Sequence, residues 1–316
     1  MTMADRIEEI RLSAARGLEL ELNYCMPPDS PEVGQRVESW FVAATEAFAG
    51  EFVREFPPGG LPSAGLRDRA GGPFGPVGSR WCSLLILEQR NRKVGTSLRP
   101  WTPKNWARFL SLSSGPSFEM SAKFSTLNGF GHAGKPSLTL SAYRLRTAQQ
   151  WLNLSARYVV GDLRTPPIPD ETAEVWSAFL RAEAERWPPV FGYLADDSFA
   201  AGGTRTPLEA MSARFPEQTL PLADSEVRGY SWVTVTSSGV LERLGGIETL
   251  RSGGAFHDIT ALPSGGAVLQ ATSRLAEYEG DAVRRVFEGL GPVLPEEAPW
   301  PDEFDRFKLI YEAPRR

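Results

Sequence analysis

The sequence contains few of the side chains that usually carry metal or redox chemistry. Its two cysteines, Cys25 and Cys82, lie far apart and form no CxxC motif, which excludes a cysteine-based zinc site and a disulfide scaffold. Its two histidines, His132 and His257, leave little material for metal binding or acid–base catalysis. The composition therefore predicts a protein that uses no metal and no cofactor.

Long apolar runs are also absent from the sequence. The longest apolar strip, Leu84 to Leu87, is far shorter than the roughly 18 residues that a membrane-spanning helix needs. The segment from Met1 to Arg16 alternates charged and apolar residues, and it lacks the hydrophobic region of a signal peptide. These features predict a cytoplasmic protein with no membrane partner.

The residues that are present are those of an ordinary folded protein. The 316 residues are 41% hydrophobic and 23% charged, which indicates one or two domains with a core that needs no disulfides. Alternation of apolar and polar residues predicts half-buried strands, and apolar residues at helical spacing predict helices. The predicted strands are Leu18–Tyr24, Trp81–Leu87, Ser117–Thr126, Ser137–Arg144, Leu152–Tyr158, Tyr230–Thr236, Phe256–Leu262 and Ala267–Thr272.

Helices are predicted between these strands. They cover residues 3–16, 33–56 with Ser30 as the N-cap, 104–110, 171–186, 240–244 and 281–290. Because the strands and helices do not alternate strictly, the pattern predicts an α+β fold with a mostly antiparallel sheet.

A strand, a proline-rich loop and a helix occur in this order twice, with Trp40 on the first helix and Trp176 on the second. This pattern fits an internal duplication, and it fits two common β-loop-α pieces of similar composition better. It predicts two β-loop-α-containing lobes. We place an N-terminal lobe with a basic segment at residues 1–148, and a C-terminal lobe with an acidic tail at residues 149–316.

The net charge of −5 conceals a strong segregation of charge along the chain. Eleven Lys or Arg and only two acids lie between Pro76 and Gln150, so this stretch carries about +9 and the remainder about −14. The acidic excess is densest after Glu277. Segregated charge steers an oppositely charged partner; alternatively, the two segments pair within the fold or are simply solvated.

Two motifs suggest chemistry, but each has a simpler interpretation. Gly129–Lys135 satisfies GxGxxG and nearly satisfies the phosphate-binding loop, yet Pro136 replaces the required hydroxyl and a strand follows where a helix is needed. We therefore predict a hairpin tip there. His257 and Asp258 are adjacent on a predicted strand and face opposite sides, so Asp258 cannot orient His257 directly.

Other candidates for chemistry have structural interpretations. Both cysteines are predicted to be small core residues, and Glu46 and Glu183 are predicted to be solvated helix positions. The basic segment carries aromatic residues, as single-stranded nucleic-acid surfaces do, although most of these fall on the apolar phase of their strands. They are Trp81, Trp101, Trp106, Phe109, Phe118, Phe124, Phe130 and Tyr143.

Small and aromatic residues recur at loose spacing in the C-terminal half. They include Tyr193, the segment Gly229–Val235, Leu244-Gly245-Gly246, and the closing hairpin from Phe256 to Ala271. Residues 150–295 thereby resemble a family of bacterial immunity-type proteins associated with type VI secretion and polymorphic toxins. The resemblance implies a cytosolic α+β protein that binds and neutralises a cognate toxin without catalysis.

We therefore predict a non-enzymatic immunity-type protein with charge-complementary contacts, no catalytic residue, and a protein toxin as its partner. The alternatives are a nucleic-acid-associated protein that uses residues 80–146, and an enzyme with an unrecognised site that includes His257. The sequence sets neither the identity of the toxin nor the oligomeric state. The predicted contact residues are Arg90, Arg92, Lys93, Arg99, Trp101, Lys104, Glu296, Glu297, Asp302 and Glu303.

Overall fold

The computed structural model describes residues 15–63, 73–90, 93–113, 117–145, 147–162, 164–196, 205–206, 208–209 and 212–296. The helix predicted over residues 3–16 lies outside them except for Ala15 and Arg16, which are strand residues. The strands in chain order are β1 (Ala15–Cys25), β2 (Arg80–Arg90), β3 (Lys93–Pro100), β4 (Ser117–Leu127), β5 (Ala133–Arg144), β6 (Trp151–Asp162), β7 (Phe191–Asp196), β8 (Val233–Thr236), β9 (Asp258–Ala261) and β10 (Ala267–Gln270).

Seven α-helices are present in the part of the chain that the structure describes. They are α1 (Glu32–Arg54), α2 (Pro103–Ser111), α3 (Asp170–Arg186), α4 (Pro216–Thr219), α5 (Ser238–Arg243), α6 (Gly246–Gly253) and α7 (Asp281–Gly289). The pairings β1–β7, β7–β8, β8–β10, β9–β10, β2–β3, β2–β4, β4–β5 and β5–β6 are all antiparallel. The predicted α+β fold with a mostly antiparallel sheet is confirmed.

The chain divides into two compact units. A continuous unit comprises Met26–Val160, and a discontinuous unit combines the chain up to Cys25 with the chain from Gly161 onward. Strand β1 belongs to the discontinuous unit because it pairs with β7 along six residue pairs, from Leu18–Asp196 to Asn23–Phe191. The sequence analysis instead placed β1 in a lobe ending near residue 148, and that assignment of lobes stays a prediction.

The continuous unit orders its strands β3-β2-β4-β5-β6. In β2, β4 and β5, alternate residues are buried on one face, which packs against α1 and α2. Phe41 of α1 and Phe109 of α2 meet there with ring centroids 4.7 Å apart. Small hydroxyl residues form a cross-strand row on the other face, where Ser141 lies opposite both Ser121 and Ser155.

The discontinuous unit orders its strands β1-β7-β8-β10-β9. All four residues of β8 and of β10 are buried, which places these strands in the core. The Trp232 indole N–H donates to the Thr272 carbonyl (3.0 Å), so this buried ring leaves no polar atom without a partner. The two units order their strands differently, and the duplication stays a hypothesis.

Two local predictions at element ends are wrong. Strand β8 begins at Val233 and not at Tyr230, because the Ser231 hydroxyl bonds the carbonyls of Leu194 (3.0 Å) and Val233 (2.9 Å). Local side-chain bonds of this kind compete with the strand ladder. Ser30 does not cap α1 either: Pro31 directly precedes the helix, and no side-chain cap bond is formed there.

The two cysteines differ in environment. Cys82 is fully buried on β2, as predicted, whereas Cys25 is exposed at the end of β1, so the prediction that Cys25 is a core residue is wrong. Burial raises the pKa of the Cys82 thiol well above its ordinary value. Only the thiolate is nucleophilic, so both the burial and the raised pKa make Cys82 unreactive.

We expect a chromogenic disulfide reagent to titrate one thiol in the native protein and two in urea. Cys25→Ser is expected to abolish the native reaction, and Cys82→Ala is expected to leave it unchanged. Rapid native labelling of the Cys25→Ser variant would contradict the burial of Cys82.

Candidate functional site

Strand β3 lies at one end of the strand order of the continuous unit and pairs only with β2 among the described strands. The Trp101 N–H donates to the Cys82 carbonyl (2.9 Å), in line with the β2–β3 register. In an antiparallel ladder, hydrogen-bonded pairs alternate with pairs that are not bonded to each other. Residues 95, 97 and 99 therefore bond to β2, and the backbone groups of residues 94, 96 and 98 point away from it.

These outward backbone groups lie on an accessible strand. Val94, Thr96 and Leu98 are exposed, at 49% for Val94 and 51% for Leu98, and their side chains share one face of β3. Among the described residues, no backbone hydrogen bond outside the regular ladders involves these three. The segment Val94–Leu98 thus presents free strand-pairing groups beside apolar side chains.

The last strand in the order of the discontinuous unit is built differently. Strand β9 has four residues. The Leu262 N–H donates to the Gly266 carbonyl (2.8 Å), so in the β9–β10 register the backbone N–H and C=O of Ile259 point away from β10. The Arg251 guanidinium donates to the outward Ile259 carbonyl (3.4 Å). Proteins commonly protect edge strands by short length and charged side chains. β9 has both protections, whereas Val94–Leu98 of β3 has neither.

Basic residues flank the open edge along the sequence. Between Arg90 and Arg108 the sequence has six Lys or Arg and no acid. Arg99 is exposed on β3, and Lys104 and Arg108 are exposed on α2, which follows at once. The Thr102 hydroxyl accepts from the Asn105 N–H (3.0 Å) and caps α2, with proline at the next position. This cap fixes where the strand ends and the helix begins.

The other predicted contact residues between positions 90 and 104 are half-buried, described only in part or outside the described residues. Trp101 is half-buried, with its ring 5.2 Å from that of Phe56. Arg90 and Lys93 are described only through their backbone, as the pair that ends the β2–β3 ladder. Arg92 lies outside the described residues.

The acidic candidates fall at the end of the described chain. Glu296 is exposed, and the others lie outside the described residues: Glu297, Asp302 and Glu303. Arg99 and Lys104 are thus exposed and Trp101 is half-buried at the β3–α2 junction, and the choice of these residues as a contact surface stays a prediction. The described part of the chain gives no comparable arrangement for the acidic tail.

Fewer aromatic residues of the basic stretch are buried than the strand phase predicts, since Trp101, Trp106 and Tyr143 are half-buried. Trp81, Phe109 and Phe124 are buried, whereas Phe130 is 86% exposed at a hairpin tip. A stacking surface for single-stranded nucleic acid needs several accessible rings. The described residues place no other largely exposed ring beside Phe130.

The glycine-rich motif is a hairpin turn, as predicted. The Asn128 side-chain oxygen accepts from the N–H groups of Phe130 (2.9 Å) and His132 (3.2 Å), and β5 starts directly afterwards. The His132 ring packs against Phe74, with centroids 4.2 Å apart. His132 is therefore half-buried and not simply an exposed loop residue, and no helix N-terminus follows to hold a phosphate.

His257 does not pair with Asp258. His257 is exposed, while the Asp258 carboxylate accepts from Arg181 (2.5 Å), whose guanidinium also reaches Thr260 (2.7 Å) and Gln270 (2.5 Å). The hydrogen bond from Arg181 holds the pKa of Asp258 below its usual value. Of the two glutamates expected to be solvated, Glu46 is exposed, but Glu183 is buried.

A buried ionic network in the discontinuous unit was not predicted. The Arg228 side chain is 0% exposed. Its guanidinium donates to the Glu209 carboxylate (2.8 and 2.9 Å), the Glu21 carboxylate (2.9 Å) and the side-chain oxygen of Asn23 (2.5 Å). Glu209 also accepts from the Thr206 N–H (2.7 Å) and the Thr219 hydroxyl. This arrangement joins the 205–228 segment to β1 and satisfies the buried charges within the protein.

Two features are absent from the described part of the chain. No group of three or more His, Cys, Asp or Glu residues there is arranged to hold a metal ion. Likewise, none of the described helices combines the length and the hydropathy needed to cross a bilayer.

Comparison with known proteins assigns no family. No family model matches the chain, and no curated protein matches it. Among solved structures, the chain is similar to the Pseudomonas aeruginosa T6SS protein PA0821, with 15% sequence identity and a TM-score of 0.49 over 89% of this chain and 74% of that one. A likeness of this size establishes neither family nor function.

Proposed function

We propose that this protein is a non-enzymatic binding protein of immunity type. It holds a cognate protein toxin through charge-complementary contacts, and its contact surface is the basic edge formed by β3 and the start of α2. The observation that carries this proposal is the exposure of Arg99 and Lys104 beside an open strand flanked by apolar side chains.

The composition of this edge suits a protein partner. Exposed apolar residues rimmed by charge are typical of protein–protein contact sites. A local excess of one charge sign accelerates association with an oppositely charged partner more than it strengthens the final complex. Val94 and Leu98 supply the apolar part, and Arg99 and Lys104 supply the charge.

The nucleic-acid alternative rests on the same positive charge. It requires base-stacking rings near the basic residues, and Phe130 is the one largely exposed ring that the described part of the stretch offers. We therefore favour an acidic protein surface as the partner.

The test is co-purification of tagged full-length protein from its own host, with nuclease treatment, followed by mass spectrometry and binding kinetics. We expect one stoichiometric protein partner that survives nuclease. We expect Arg99→Glu with Lys104→Glu to slow association at least about tenfold at low salt and to flatten its salt dependence.

The matched control reverses two charges elsewhere, Arg164→Glu with Arg285→Glu, and its association rate is expected to stay within about threefold of wild type. Recovery of nuclease-sensitive material alone would favour the nucleic-acid alternative. An association rate unaffected by the Arg99 and Lys104 reversals would remove the basic edge from the proposal.

A further inference from the structure

We infer that the partner docks by adding an extended, acidic strand to the open edge of β3. This inference rests on the proposed function and specifies how the partner binds and what chemistry its contacting segment has. An exposed edge strand offers unused N–H and C=O groups in a row, and an extended segment satisfies them as a further strand of the sheet.

The backbone geometry provides the docking groups. Residues 94, 96 and 98 each turn an N–H and a C=O away from β2, which follows from the Trp101–Cys82 bond and the unbroken register from Ser83–Pro100 to Arg90–Lys93. The register has no bulge, so these groups are evenly spaced along one edge. Pro100 is the next residue whose backbone points away from β2, but proline has no N–H, so the row of outward N–H donors ends at Leu98.

The side chains define the partner's chemistry. Val94, Thr96 and Leu98 share one face, where directly opposite residues of an added strand pack against them. The exposed Arg99 lies on the other face, and Lys104 follows on α2. An incoming strand with apolar residues on one face and carboxylates on the other therefore matches both faces of β3.

A second copy of the chain fits this edge less well. Antiparallel self-pairing centred on Thr96 places Lys93 opposite Arg99, and like charges directly opposite each other destabilise a sheet. The charge pattern therefore favours an acidic strand from another protein over a symmetric dimer.

Thr96→Pro tests this inference with Thr96→Val as its matched control. Because the Thr96 N–H points outward, proline there removes a docking donor but no bond of the β2–β3 ladder, whereas valine keeps the N–H. Binding is measured to the protein recovered by nuclease-treated co-purification. We expect Thr96→Pro to weaken binding at least about tenfold and Thr96→Val to stay within about threefold of wild type.

Amide hydrogen exchange of the wild-type protein gives a second, independent readout that does not depend on the folding of any variant. On addition of the same recovered protein, we expect the amides of Val94, Thr96 and Leu98 to exchange more slowly. Thermal unfolding of Thr96→Pro shows whether a loss of binding comes from a loss of fold.

The outcomes separate the two proposals. Undiminished binding by a folded Thr96→Pro variant, or unchanged exchange at these three amides, would overturn strand addition while leaving the proposed function intact. A wild-type dimer that Thr96→Pro converts to monomer would replace the acidic strand with a second copy. If wild-type protein captures no protein partner, the proposed function fails and strand addition fails with it.

Discussion

Arg228→Ala is expected to lower the free energy of unfolding by about 3–5 kcal/mol, because it leaves buried carboxylates without their cation. The Glu21 and Glu209 side chains are 2% and 1% exposed, and both contact the Arg228 guanidinium. Without that guanidinium each carboxylate must stay charged in a poorly solvated place, take up a proton or expose itself to water. Urea unfolding followed by tryptophan fluorescence measures the loss.

The matched control is Arg284→Ala. Arg284 pairs with Asp281 on α7, and this pair is largely exposed, so the loss is expected to stay below about 1 kcal/mol. Arg228→Lys keeps the charge but not the several guanidinium contacts, and it is expected to fall between the two. A loss below about 1 kcal/mol for Arg228→Ala would mean that the two carboxylates are not buried as charges.

Phe41→Ala is expected to lower the free energy of unfolding by about 3–5 kcal/mol, because it opens a cavity between α1 and α2. Phe41 is fully buried, and its ring meets Phe109 edge-on at 4.7 Å and Trp106 at 6.4 Å. Phe109 is the buried residue of α2, so the same substitution also weakens the attachment of that helix. Urea unfolding and near-ultraviolet circular dichroism measure both effects.

The neighbouring Val42→Ala is a natural control for Phe41→Ala. Val42 lies on the same helix but is 46% exposed, so its truncation is expected to change stability by less than about 1 kcal/mol. Equal losses from the two substitutions would contradict the packing of α1 against α2.

The sequence predicts elements well where one face of an element is buried. Leu138, Leu140 and Ala142 alternate with less buried residues in β5, and Val37, Phe41 and Ala44 recur at helical spacing in α1. Burial of alternate residues is what produces a period of two, so the strand is visible without any knowledge of its partners. The same principle predicted β4, β5 and the hairpin between them.

Strand β3 was not predicted because its residues do not alternate between buried and exposed positions. Both of its faces carry exposed residues, and Gly95 and Pro100 are unfavourable in strands, so no alternation marks it. Its place in the sheet comes from the register with β2. The candidate contact residues Arg99 and Lys104 could therefore be chosen by charge, but the open backbone edge beside them could not.

The Arg228 network was missed for a different reason. Glu21 and Arg228 are 207 residues apart in sequence, and neither lies in a motif. A buried arginine and an exposed arginine look alike in a sequence, because only the fold decides which charge loses its water. The sequence feature that points to this network is the pair Glu21 and Asn23, which occupy the polar positions of β1.

The pairing of β1 with β7 also affects how the protein is made. Leu20 faces Leu194, so this strand leaves the ribosome well before its partner exists. At about 5–20 residues per second, a separation of about 170 residues corresponds to roughly 10–35 s. The whole of Met26–Val160 is synthesised within that interval. Strand β1 therefore stays unpaired with β7 throughout the synthesis of the inserted unit, and during that time its three leucines are open to other contacts.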